Sequence, residues 1–125
     1  MSSAETLKSL VRHVIEEAAR GNLDILQEHP GLHETIPMQR AINEGFSERK
    51  VTFLLQFTDG EWVASRIMES HKHTGTFMGI PPTGKPISIT VMDILGIAEG
   101  KFVEHWGVMD SMAMMQQLGV VPSFN

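Results

Sequence analysis

The 125-residue chain contains no cysteine and no tyrosine. Without cysteine it can form no disulfide, thiolate nucleophile, iron–sulfur cluster or cysteine-based zinc site, and such a composition fits a cytoplasmic home. Without tyrosine, any mechanism that uses a phenol as proton donor is excluded. Positive charge is also sparse: ten Lys and Arg against fifteen Asp and Glu leave a net charge of −5. The bases are scattered singly, so the clustered footprint that nucleic acid requires is missing. No apolar run approaches the ~18–20 residues that span a bilayer. The opening Met1–Thr6 lacks the basic and then apolar segments of a secretory signal. Neither nucleic acid nor membrane is an expected partner. Nine methionines are many for this length, and suit irregular core gaps or an adaptable apolar pocket.

The length predicts one domain, residues 1–125, burying roughly two-thirds of its unfolded surface. Ser2-Ser3-Ala4-Glu5 reads as a capping box led by Ser2. Behind it Leu7, Leu10, Val11, Val14, Ile15 and Ala18 form one apolar helical stripe, and Gly21 is its stop. A shorter helix runs from Leu23 to about Glu28 and ends at Pro30-Gly31. A third is expected over Met38–Phe46. From Val51 the period becomes strand-like. Val51–Thr58 closes on Asp59-Gly60, a hairpin signal, and Trp62–His73 is the return strand. Pro81–Gly84 is a turn, Ile87–Ala98 a long strand, Phe102–Met109 the last strand and Ser111–Leu118 a short helix. Helices followed by an antiparallel meander predict an α+β domain with helices on one sheet face. The long strand is apolar on both alternating sets: Ile87, Ile89, Val91, Leu95 and Ile97 on one, Met92 and Ile94 on the other. Both faces should therefore be covered, the second by another copy of the chain.

Gly79–Pro86 nearly spells a phosphate-binding loop. Pro86 stands where the magnesium-binding hydroxyl belongs, Pro81 and Pro82 lack N–H groups, and a strand follows in place of a helix. This is a turn. His71 and His73 share one strand face, yet no further ligand follows at a metal-binding spacing, so no metal is expected. Asp110 lies between strand and helix and has two readings. As an N-cap it is worth about 1 kcal/mol. By strict alternation, however, Phe102, Glu104, Trp106, Val108 and Asp110 share one face, as an acid at an apolar cavity would. Arg66 is mid-strand, either in water or in a polar pocket. Trp62 and Trp106 suit core or cavity wall. His29 and His33 read as solvated loop residues. Asp93 lies within an apolar strand and must be paired or bonded, as an anchor or a second pocket carboxylate.

The run from Gly75 to Leu118, with H-T-G-x-F-x-G at His73–Gly79, I-P-P-T-G-K at Ile80–Lys85, G-K-x-V-E-H-W-x-x-x-D at Gly100–Asp110 and Q-Q-L-G, resembles the SnoaL-like polyketide (ester) cyclases. These are NTF2-like α+β cones that commonly dimerise through the sheet. The resemblance is strong over about Asp59–Leu118 and general before it. It implies an apolar pocket and cofactor-free ring closure or isomerisation of a small apolar carbonyl compound. It also implies that Asp110 moves the proton while His73 and Arg66 orient substrate. Trp106, Glu104, Phe77, Trp62 and Met92 are the expected substrate contacts. A non-catalytic binding module for a small molecule or peptide on the same fold is the alternative. Convergence of the polar side chains on one point in the pocket would favour chemistry.

Overall fold

The computed structural model describes residues 3–122. Helix α1 spans Ala4–Ala19, and its N-cap is Ser3, whose hydroxyl accepts from the Thr6 N–H at 3.1 Å. Ser2, the expected cap, lies outside the described residues. The apolar stripe buries Leu7, Val11, Val14 and Ala18, and Gly21 turns the chain away at φ 101°. Helix α2 is a single turn, Asp24–Gln27. Pro30 does not end the helical region as expected. It opens a 3₁₀ segment, Pro30–Thr35, at a first-turn position where its missing N–H costs nothing. Helix α3 then runs Ile36–Gly45, earlier than the expected Met38–Phe46.

Four strands follow as an antiparallel meander: β1 Phe46–Asp59, β2 Trp62–His73, β3 Pro86–Ala98 and β4 Lys101–Met109, in the order β1-β2-β3-β4. Strand β1 starts at Phe46 because Phe46–Lys50 pair with the end of β2, which local pattern does not reveal. Two-residue turns join β1 to β2 and β3 to β4, the second with Glu99 and Gly100 both at positive φ (51° and 75°), while residues 74–85 connect β2 to β3. Helix α4, Ser111–Leu118, closes the domain and stops at left-handed Gly119.

The helices and the 3₁₀ segment cover one sheet face. One core cluster joins Leu7, Val11, Val14, Leu26 and Leu32 to Val63, Leu95 and Phe102. A second, at the other end, joins Ile42, Phe46, Phe77, Ile87, Met114 and Leu118. The opposite face is uncovered. There Leu55, Phe57, Trp62, Met92, Ile94, Trp106 and Val108 all remain exposed.

One expectation about faces is corrected. A register shift between Gly96 and Ile97 pairs Gly96 with Glu104 but Ile97 with Phe102, leaving Val103 as a bulge. A bulge reverses which face successive side chains take. Phe102 is therefore fully buried under the helices, while Glu104, Trp106 and Val108 belong to the open face. The inward set of β4 is Phe102, His105, Gly107 and Met109.

Candidate active site

Between the two core clusters lies a cavity of about 1010 Å³, bounded by the 3₁₀ segment, α3 and the covered face of the sheet. That is the upper end of the range for small-molecule sites, roughly 300–1,000 Å³. Its apolar wall includes Leu26, Leu32, Ile42, Ile67, Val91 and Met109. All residues from Val103 to Met109 border it, as expected where a cavity reaches the free edge of an edge strand.

Polar side chains also line it. Asp93 occupies the inward set of β3 otherwise filled by Ile87, Ile89, Leu95 and Ile97. It faces Ser65 on β2 and Gly107 on β4. Only 7% of Asp93 is exposed, and its Oδ1 is buried without a partner. Burial, reinforced by the nearby Glu69 carboxylate, pushes its carboxyl up to about 7. A carboxyl half-ionised near neutrality can both take and give a proton.

His105 folds over Gly107 beside it. A methyl group at Gly107 would stand 2.8 Å from His105 Nε2 and 3.5 Å from Asp93 Cβ. Glycine there makes room for the imidazole next to the acid. Burial lowers the His105 pKa, with Glu34 opposing, so the ring is neutral at pH 7. The Glu34 carboxylate, on the 3₁₀ segment, is 3.8 Å from His105 Nδ1. That segment is pinned to β4. Gly31 fits against the Val103 and Glu104 backbone so closely that a Cβ would lie 2.6 Å from Val103 C. His29 is not solvated as expected: its Nδ1 accepts from the Phe102 N–H at 3.1 Å, and its ring stacks on Phe102.

Arg49 supplies the cavity's cation. Glu48 at φ 55° and the register shift after Ser47 form a bulge that turns Arg49 inward. Its Nη2 donates to Glu69 Oε1 at 2.7 Å, and its Nη1 to Asn43 Oδ1 at 2.7 Å and to Gln39 Oε1 at 3.2 Å. Its side chain is only 5% exposed. A buried ion pair needs such additional bonds to offset desolvation. Arg49 is thereby clamped, and holds Glu69 near Asp93.

The family profile of the SnoaL-like polyketide cyclases matches residues 3–118. The chain belongs to that family. It is 26% identical to the aklanonic acid methyl ester cyclase DnrD of Streptomyces peucetius, with 88% of each chain covered. The solved structure of AclR from Streptomyces galilaeus superposes with a TM-score of 0.89, at 24% identity, over 98% of this chain and 87% of that one. TsrD from Streptomyces laurentii gives 0.85 at 22% identity, over 97% and 100%. Those two likenesses show the fold alone, which is the expected NTF2-like α+β architecture.

Of the residues expected to be catalytic or to contact substrate, only Glu104 and Trp106 border the cavity, and both are exposed; Asp93, read from sequence as an anchor or a second pocket carboxylate, lies within it. Asp110 is exposed and caps α4, its Oδ1 accepting from the Ala113 N–H at 3.0 Å. Arg66 is exposed on the open face, flanked in register by Leu55 and Met92. Met92 lies on that face as well, as does Trp62, whose ring covers Gly96. Phe77 is core, packed on Phe46 and Gly45. His73 is fully buried away from the cavity, its Nδ1 accepting from the Thr83 N–H at 3.1 Å. Arg66, His73, Glu104 and Asp110 do not converge. The polar groups that line the cavity include instead Asp93, His105, Arg49, Glu69, Gln39 and Glu34.

Proposed function

We propose that this SnoaL-like protein closes or isomerises an apolar polyketide-type carbonyl ester by acid–base catalysis, with Asp93 as the proton carrier. Ionised Asp93 removes a proton from carbon next to a carbonyl, and the resulting enolate attacks a second carbonyl of the same molecule. The new carbon–carbon bond leaves an alkoxide, which recovers the proton from Asp93. Bonds and protons balance without a cofactor. The neutral His105 imidazole, beside Asp93, is suited to hydrogen-bond the oxygen that carries the developing charge. The clamped Arg49–Glu69 pair sets the electrostatics of the floor. Family membership supports the reaction class, and the observation that carries the assignment is a buried carboxyl poised near neutrality within the apolar cavity. A proton-relaying acid of this kind contributes roughly 10²–10⁴-fold.

The test uses aklanonic acid methyl ester, the compound in the name of the relative DnrD. Asp93→Asn should lose ring-closing turnover by at least about 100-fold while still binding the ester in native mass spectrometry. Full turnover by that variant would overturn the reading. An ester that binds but is not converted by the parent protein would favour a binding module.

The reading includes a homodimer formed through the open face and a cytoplasmic location, the latter on the cysteine-free composition. The seven large apolar side chains there expose on the order of 800 Å² together, above the usual monomer patch and close to one side of a standard interface. Asp59 and Glu104 lie at one end of the face, and Lys50 and Lys72 at the other. A two-fold axis across the strands sets acidic ends over basic ones. Sedimentation should give a dimer at micromolar concentration, and a monomer for Trp106→Glu. A monomeric parent protein would contradict this.

A further inference from the structure

A chain of hydrogen bonds reaches from the surface of α1 toward the back of Asp93, and donor chemistry fixes its direction. Arg12 can only donate, and its Nη1 lies 2.6 Å from Gln56 Oε1. The Gln56 amide is thereby oriented with its NH₂ group toward Ser65, and Nε2 donates to Ser65 Oγ at 3.2 Å. Nε2 also reaches the Lys8 carbonyl at 3.4 Å, which holds the amide in the same sense. Ser65 Oγ is thus already an acceptor, so its own proton must point elsewhere. Ser65 is buried, faces inward on β2 and stands directly opposite Asp93 on β3. Residues so paired have Cβ atoms about 4.5–5.5 Å apart, within reach of one hydroxyl rotation. Asp93 Oδ1 is the one buried carboxyl oxygen without a partner among the described residues.

We infer that Arg12, Gln56 and Ser65 form a directional relay that presents a hydroxyl donor to Asp93 Oδ1 when the carboxylate is formed, making Ser65 a positioning residue for proton transfer. The inference deepens the acid–base reading and rests on it for its functional meaning. Glu69 on β2, Arg49 on β1, His105 on β4 and His33 and Glu34 on the 3₁₀ segment are the other charged or titratable groups that line the cavity on the Asp93 side of the sheet, and His71 and His73 lie further along that face of β2. Burial and Glu69 disfavour the carboxylate. The relay acts in the opposite sense, at the oxygen that faces away from the substrate. Arg12, half-buried on α1, would thereby support the carboxylate from outside the cavity.

Carboxyl-carbon NMR titration of Asp93 tests this without any substrate. Ser65→Ala should weaken Asp93 acid dissociation about fivefold, the effect of one net hydrogen bond. Ser65→Thr should restore it. Gln56→Glu is the sharper variant, because a carboxylate there accepts from both Arg12 and Ser65 and draws the hydroxyl proton away from Asp93. It should raise the Asp93 midpoint, and it carries the test if Ser65→Ala does not fold. In the Gln56→Glu background, Ser65→Ala should add almost nothing. A merely structural Ser65 would lower the melting temperature and leave the Asp93 midpoint in place; that midpoint, unmoved by both variants, overturns the relay. Such a result together with an inactive Asp93→Asn would leave the acid–base reading standing. A shifted midpoint with a fully active Asp93→Asn would retain the relay and remove that reading.

Discussion

Replacing Asp93 with asparagine should stabilise the fold, and the gain should grow with pH. In the folded protein the carboxyl titrates at about 7 against 3.8 in an unfolded chain. As pH rises from about 4, the unfolded chain loses this proton first while the folded protein keeps it. The folded state then binds more protons, so the parent loses stability steadily until pH passes the folded value near 7. The full difference corresponds to about 4 kcal/mol, a large share of a typical stability of about 5–15 kcal/mol. Water reaching the carboxyl from the cavity reduces this, and about 2–4 kcal/mol is the expected range. Asparagine has the same shape and cannot ionise. The advantage of Asp93→Asn over the parent should therefore be flat below about pH 4, climb by up to about 1.4 kcal/mol per pH unit, and level off above about pH 7. Urea unfolding at four values between about pH 4.5 and 8.5 measures it, and groups that titrate alike in both proteins cancel in the difference. A gap that does not change with pH would show that Asp93 ionises as freely in the fold as outside it, and would refute the reasoning.

Three further outcomes follow from named contacts. Asp110→Ala should lose about 1 kcal/mol by removing the α4 cap and keep its turnover, measured by chemical unfolding and a rate assay side by side. Gly107→Ala places a methyl group against His105 Nε2. It should cut turnover about tenfold or more through a displaced ring, while binding of the ester in native mass spectrometry persists. His71 has a pKa lowered chiefly by burial, so as pH falls below 6.5 the unfolded chain takes up its proton first and this one residue's contribution turns destabilising. In melts compared at about pH 7.5 and 5.5, the stability of His71→Leu relative to the parent should rise at the lower pH, and a difference that does not change with pH would count against it.

The elements were legible because each carries its period and its punctuation. The α1 stripe and the Trp62–His73 strand lie where local pattern puts them, and the hairpin that Asp59-Gly60 signals is present with its turn one residue later, at Gly60 and Glu61. The start of β1 was not legible, because Phe46–Lys50 are strand only through their pairing with β2. Strict alternation along β4 placed Phe102 with Glu104 and Trp106. The bulge at Val103, against whose backbone Gly31 packs, separated them. Asp93 was visible as an acid in an apolar strand, an anchor or a second pocket carboxylate, but with both alternating sets apolar its face could not be read from parity. Its partners could not be read locally. Arg49 enters through another bulge, and Glu34 through a 3₁₀ segment that the Pro30-Gly31 breaker signal concealed.

The central claim is that Asp93, inside the cavity, is the acid poised to exchange a proton near neutrality. Carboxyl-carbon NMR titration of the unaltered, ligand-free protein measures this directly. The account predicts that the Asp93 resonance passes its midpoint at about 7, well above the 3.8 of an unperturbed aspartate. A midpoint at or below that ordinary value would mean that the carboxylate is well solvated or paired in the fold, and the account would be contradicted.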